Sequence, residues 1–258
     1  MSYWQDRMAD TQAAITNKHI KDIEKQMSKY YKKAMERTIA DFEATYDKLF
    51  KGFRDGIEPT PADLYKLDRY WKMQAQLRHE LEVLGDKQNV LLSKAFERCW
   101  LDVYNSISLP SLADYSTIDN EAVKQMINEI WVADGKHFSQ RIWDNTEKLL
   151  DTLNEELVQC VATGKSTEEL KQKLVERFGV SYSNADALVH TETAHIQTQA
   201  ARKRYEDYGI EEVEVWADKD ERRCEVCGKL HKKRYPVGAA MPIPAHPRCR
   251  CCIIPVVD

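Results

Sequence analysis

The stretch Cys224-Glu-Val-Cys227, followed after eighteen intervening residues by His246-Pro-Arg-Cys249-Arg-Cys251-Cys252, decides how the rest of the chain reads. It holds five of the seven cysteines. A zinc ion takes four sulfur or nitrogen donors in a tetrahedron, and a C-x-x-C turn presents two thiolates to one side of it. His246 and Cys249 repeat that spacing and close the site. Cys251 lies two residues beyond Cys249, so in an extended strand both face the same way and either can be the fourth ligand. Cys252 faces the other way. Four protein donors leave no position for a water, so the expectation is a structural zinc and not a catalytic one. The competing reading is a disulfide cluster. Only Cys99 and Cys160 lie outside the stretch, and Met1-Ser-Tyr-Trp runs into a polar helical pattern with no apolar leader. A reducing compartment, where such thiols bind metal, is therefore expected.

The segment that carries these donors reads as a small sheet. Val213, Val215 and Ala217 alternate with Glu212, Glu214 and Trp216, which predicts a half-buried strand. The run Cys251–Val257 is a second β-prone stretch, and Tyr235–Val237 a third. A sheet this small needs a clip, and the metal supplies one. Upstream the period is helical throughout. At 258 residues, with net charge −4 and only 9 glycines and 8 prolines, the chain suits one large or two small domains built on long helices. No apolar run is long enough to span a membrane.

The first 57 residues read as one helix. Met35, Ile39, Phe42, Tyr46, Leu49 and Phe53 form a heptad-like seam, extended upstream by Ile20, Ile23 and Met27 with a phase break between Tyr31 and Met35. Gly52, Gly56 and Glu58-Pro59 end it. Thr60, Pro61 and Asp63 open a second helix carrying Leu64 to Leu84 and stopping at Gly85. A third runs from Lys87 to Ser106, with Cys99 in its core. Leu109-Pro110-Ser111-Leu112 is the expected domain boundary. A short helix from Asn120 to Trp131 follows, then the turn Ala133-Asp134-Gly135. A helix from Phe138 to Val161 comes next, with Cys160 inside. Gly164-Lys165-Ser166 looks like the end of a phosphate loop, but Gln159 stands where that motif wants glycine. Ser166 and Glu169 instead form a capping box. A last long helix covers Asn184 to Tyr208 and ends at Gly209.

Two functional patterns compete with a structural reading. His190-Thr191-Glu192 followed by Cys224-x-x-Cys227 resembles the H-x-E…C-x-x-C of zinc nucleobase deaminases, in which the glutamate shuttles protons. Arg223 stands where that pattern has proline, and the pattern leaves His246, Cys249 and Cys251 without a role. Glu192-Thr-Ala-His195 fails H-E-x-x-H as well, since His190 and His195 are five apart. The second pattern is basic. From Lys219 to Arg250 nine Lys and Arg face three Asp and Glu. Arg222, Arg223, Lys229, Lys232, Lys233, Arg234, Arg248 and Arg250 are candidate contacts to the phosphates of double-stranded DNA. The plain alternative is a solvated loop that balances acidic helices.

The series Trp131-x-x-Asp134-Gly135-x-x-Phe138-Ser139-x-Arg141-Ile142, Gly164-x-Ser166, Leu188-Val-His-Thr191-Glu192-Thr193, Tyr208-Gly209, Trp216, Cys224-x-x-Cys227 and His246-Pro-x-Cys249-Arg250-Cys251 resembles the phage Mu F-like head morphogenesis family, from about Ala122 onward. That family usually has arginine where this chain has His190. The resemblance implies a non-enzymatic minor head protein of a tailed phage, present in few copies and associated with the portal and capsid shell. It would act in assembly, packaging or DNA ejection, in the host cytoplasm and then inside the capsid of the virion. No small-molecule substrate and no membrane enter this picture. Some relatives carry a further C-terminal toxin domain, which is not expected six residues after Cys252. The expected architecture is mainly α with a small C-terminal β-sheet. Residues 1–108 form a helical domain, docking on portal or shell through Tyr30, Tyr31, Phe42, Tyr46, Phe50 and Phe53. Residues 109–258 form an α+β domain whose tail, 210–258, is clipped by zinc and faces the DNA.

Overall fold

Six helices and three short strands make up the described chain: α1 (Tyr3–Phe50), α2 (Asp68–Ser106), α3 (Asn120–Ile127), α4 (Phe138–Thr163), α5 (Thr167–Asp207), β1 (Glu212–Trp216), α6 (Glu225–Leu230), β2 (Arg234–Pro236) and β3 (Cys252–Pro255). The computed structural model describes residues 3–50, 68–108, 119–132, 134–163, 166–217 and 223–257. The helix stop at Gly52–Pro59, Phe53, the Thr60 cap, the Leu109–Leu112 linker and Arg222 fall outside them, as do the side chains of Tyr46, Leu49, Phe50 and Cys160. Among the described residues no helix is long and apolar enough to cross a membrane. The architecture is the one the patterns predict, mainly helical with a small antiparallel sheet near the C-terminus.

Four helical expectations need correction. The buried stripe of α1 runs through Ala9, Gln12, Thr16, Ile20, Ile23, Met27, Tyr31, Ala34, Thr38 and Phe42. Its steps of three, four and four make an eleven-residue repeat, close to the natural pitch of a straight helix. The predicted seam through Met35 and Ile39 is displaced by one residue, and both are only half-buried. Hydropathy missed the true stripe because Gln12, Thr16 and Thr38 belong to it. Gly85 does not stop a helix either. It lies inside α2, where an added Cβ would meet Trp143 Cζ3 at 2.7 Å, so the residue makes room for an indole. The third correction concerns α5, which starts at Thr167 and not Asn184, and runs through Gly179. Finally, α3 ends at Ile127, short of Trp131.

The chain divides into two compact units. One comprises Met1–Glu24, Leu91–Phe138 and Asp186–Asp258. Its sheet has the order β2-β1-β3, with Val213 opposite Tyr235 on one side and Pro255 on the other. β1 was expected to be half-buried, but Val213 to Trp216 are all buried. The central position accounts for this: Trp216 packs with Ala9 of α1, Cys252 and Ile254. Gln12 Nε2 donates to Tyr205 Oη and to the carbonyl of Ile253, seating α1 on β3. Gly209 takes φ +70 after α5, the left-handed cap that turns a helix into a following strand at little cost. Cys99 is core, as predicted, and burial pushes its thiol up to about 12.

The other unit comprises Lys25–Val90 and Ser139–Ala185. Met27, Leu81, Leu84, Leu153 and Leu170 fill its centre, each worth about 1.5–3 kcal/mol of apolar burial. Tyr31 Oη lies 3.3 Å from the Ser181 carbonyl and 3.4 Å from Gln88 Oε1, either of which can take its single proton, and accepts from Asn145 Nδ2 at 3.2 Å. Tyr31 and Phe42 are therefore core, which corrects their expected role as docking aromatics. The capping box forms as predicted: Glu169 N–H donates to Ser166 Oγ, and Ser166 N–H to Glu169 Oε2.

Candidate metal centre

Cys224 is the N-cap of α6, with its sulfur accepting the Cys227 N–H at 3.4 Å. That backbone donor, at a helix start, holds the Cys224 thiol below its usual value. The first turn of α6 then brings Cys227 to the same side, buried. The second half comes from the loop that leads into β3. There the Cys249 N–H donates to the His246 carbonyl, a tight turn that requires Arg248 at φ +60.

The two halves meet. His246 Nε2 lies 3.2 Å from Cys224 Sγ and 3.1 Å from Cys227 Sγ, and Cys227 Sγ lies 3.7 Å from Cys249 Sγ. Zinc bonds of about 2.3 Å to sulfur and about 2.1 Å to nitrogen imply tetrahedral edges of roughly 3.5–3.8 Å. The donors thus stand slightly inside the spacing that an ion would impose. Within Cys224, Cys227 and His246, and again within Cys227, Cys249 and Cys251, all donor atoms lie within 4.8 Å of one another. Cys227 is common to both triads. His246 Nδ1 donates to the Pro247 carbonyl at 2.8 Å. This leaves Nε2 bare for an ion, the outer hydrogen bond that orients a metal-bound imidazole, and it also raises the basicity of the ring.

The electrostatics divide the thiols. Hydrogen bonding from Cys251 draws Cys249 down to about 5. Cys251, hydrogen-bonded to Cys249 and buried, is pushed up. Burial raises Cys227 to about 12. The two thiols thus share a hydrogen bond and do not ionise independently. The chemistry of the set, soft sulfur with one imidazole, fits a cation such as zinc. Five donors are present where four suffice. Cys252 belongs elsewhere, in the apolar cluster with Ala9, Trp216 and Ile254.

The other candidate residues find different partners. His190 Nε2 lies 3.1 Å from Glu24 Oε1 and 4.0 Å from Asp186. Glu192 accepts Trp131 Nε1 at 3.0 Å, and the Trp131 ring stacks on His195 at 4.1 Å between centroids. Buried against that indole, His195 titrates at about 3. The deaminase constellation is not assembled: Cys224 and Cys227 gather with His246, while His190 and Glu192 are engaged with other segments. Glu24, Asp186 and His190 form a third cluster of close donors. The Arg248 guanidinium already sits 2.6 Å from Asp186, an unfavourable neighbour for a second cation.

Among the basic residues, Lys229 pairs with Glu225, Arg234 lies near Glu212 and Glu214, and Arg248 pairs with Asp186. Arg223, Lys232, Lys233 and Arg250 are exposed. Sequence reasoning missed Asp186 and the partners of Thr191 and Glu192. The single legible signal was the i, i+4 spacing of Asp186 and His190 on one helix face.

Residues 151–254 match the family model described as Phage Mu protein F like protein. The match spans all five donors and the polar face of α5, and it supports the resemblance carried by the motifs. No curated protein and no solved structure matches the chain.

Proposed function

We propose that this chain, which carries a phage Mu F-like region over residues 151–254, is a non-enzymatic minor head protein of a tailed phage whose tail is clipped by one structural zinc. It joins the procapsid in the host cytoplasm, lies inside the capsid of the virion, and acts beside the portal in assembly, packaging or DNA ejection. The observation that carries the reading is the coincidence of the family match with the donor cluster. Cys224, Cys227, His246 and Cys249 hold the ion, and Cys251 stands by as the alternative fourth ligand. Four protein donors leave no coordination position for substrate or water. Zinc here supplies no reaction; it ties α6 to the loop before β3, in a sheet too small to hold its shape alone.

The portal-binding part is proposed to lie before about Ser108, where Tyr3 and Trp71 are exposed at 80% and 58%. Aromatic residues are favoured at interface centres. Phage heads purified with and without the portal test the reading. The protein should copurify with heads that contain portal, and truncations ending near Ser108 should retain the portal. Heads that lack the protein, or portal held only by a chain beginning near Ser111, would overturn it.

A second reading, contact of the tail with double-stranded DNA, is favoured by the exposure of Arg223, Lys232, Lys233 and Arg250. Each phosphate neutralised should add about −0.9 to the slope of log affinity against log salt. Binding without salt dependence would exclude it.

A further inference from the structure

The His190-Thr191-Glu192 segment has no role in ligating the ion, yet its helix face meets the metal loop at one residue. Arg248 stands between the proposed ligands His246 and Cys249. It is one of two non-glycine residues described with positive φ, at +60, a conformation that side chains adopt only when something holds it. The turn's own hydrogen bond, from the Cys249 N–H to the His246 carbonyl, closes it, and two contacts from α5 hold it from outside. The Arg248 backbone N–H donates to Thr191 Oγ1 at 3.2 Å, and its guanidinium lies 2.6 Å from Asp186 Oδ2. Asp186 is largely buried, with its side chain 13% exposed, whereas Arg248 is 47% exposed. The carboxylate is therefore the fixed end and the arginine the end that is captured. Thr191 Oγ1 is itself directed by donation to the Ala187 carbonyl at 2.7 Å, which leaves its lone pairs toward the loop.

We propose that Asp186 and Thr191 on α5 are positioning residues for the metal centre: they lock Arg248 in its left-handed turn and thereby place His246 and Cys249 on the same ion as Cys224 and Cys227. The backbone contact fixes the turn and the charged contact fixes its direction. Neither residue touches the ion. Without them the loop relaxes to an ordinary extended or helical backbone, and the two donors at either side of Arg248 no longer converge. The clip would then retain its C-x-x-C half and lose its other half. This inference rests on the metal reading given above.

The test uses the full chain loaded with zinc or with cobalt. Zinc dissociation into excess chromogenic chelator is followed for the parent, Asp186→Asn, Thr191→Val and Thr191→Ser. Asp186→Asn and Thr191→Val should each speed zinc loss by about tenfold or more, the scale typical of outer-shell contacts to a metal site. Thr191→Ser, which keeps the hydroxyl, should keep the parent rate. The cobalt-loaded Asp186→Asn and Thr191→Val proteins should show weaker thiolate-to-metal absorption, a signature that loss of fold stability alone does not produce. The metal-free variants should keep the helical circular dichroism of the metal-free parent and still melt cooperatively, so that faster zinc loss is not unfolding. Unchanged zinc loss and cobalt spectra in both variants overturn the proposal, as does Thr191→Ser behaving like Thr191→Val. A parent that takes up no ion overturns the metal reading and this inference with it; a parent that takes one up, with unaffected variants, overturns this inference alone.

Discussion

Gly85 carries a testable conflict between propensity and packing. Alanine is better than glycine inside a helix by about 1 kcal/mol, but at this position its Cβ would press on three atoms of the Trp143 ring at 2.7–3.1 Å. Overpacking of that kind costs about 1–3 kcal/mol, so Gly85→Ala should destabilise by about 1 kcal/mol in urea unfolding. In a Trp143→Ala background the same change should become stabilising, and failure of the sign to invert would refute the packing account. His195 gives the second residue-scale prediction. Burial against Trp131 depresses its folded value to about 3 from an ordinary 6.5, so the unfolded chain binds the proton first. The neutral imidazole's contribution is complete above about pH 6.5 and is lost as pH falls toward 3, at up to ~1.4 kcal/mol per pH unit. Replacing His195 by Gln should flatten that part of the stability profile, and an unaltered slope would show that another group causes it. Both effects come from contacts between residues far apart in sequence, 58 positions for Gly85 and Trp143 and 64 for Trp131 and His195. The sequence suggests a helix stop at Gly85 and a histidine on a helix face at His195, and names neither partner.

Local rules were sufficient wherever an element's end is made by its own neighbours. The Ser166–Glu169 box and the helix end at Gly209 are readable within four or five residues, whereas the short helix that Cys224 caps was not read from its sequence. They were not sufficient where polar residues complete an apolar face. Thr16 and Gln12 lie in the α1 stripe because Gln197 and Tyr205 satisfy them, and a hydropathy pattern sees only gaps at those positions. Ser166→Ala removes the acceptor for the Glu169 N–H and should cost about 1 kcal/mol. Glu169 would also lose its reciprocal geometry, so amide exchange should accelerate over the first turn of α5, near Thr167–Leu170, and not at its far end. Uniform acceleration along the helix would indicate a global loss of stability and not a cap.

The C-terminal sheet has three strands of five, three and four residues, below the size at which such a sheet stands alone. β3 is nevertheless seated by Gln12 and Tyr205 on the Ile253 carbonyl, and β1 by the Trp216 cluster. On the proposed metal reading, the knuckle, α6 and the loop before β3, is the described part that would depend on the ion. This division of labour predicts a graded response to metal removal. Purified protein should carry about one zinc per chain by elemental analysis. Chelation should open residues 223–251 to proteolysis while the helical circular dichroism stays within a few per cent. Cys227→Ser should be the most damaging ligand change, because Cys227 alone is shared by both donor triads. Cys251→Ser should be the mildest, since Cys249 lies 3.7 Å from Cys227 and its turn brings it beside His246. If Cys251→Ser releases the metal as readily as Cys227→Ser while Cys249→Ser retains it, the fourth ligand is Cys251, and the loop closes on the ion two residues later than its hydrogen bonding indicates. If chelation leaves the melt and the proteolysis of the knuckle unchanged, the ion has no structural role, and the sheet is held by its contacts with α1 and α5.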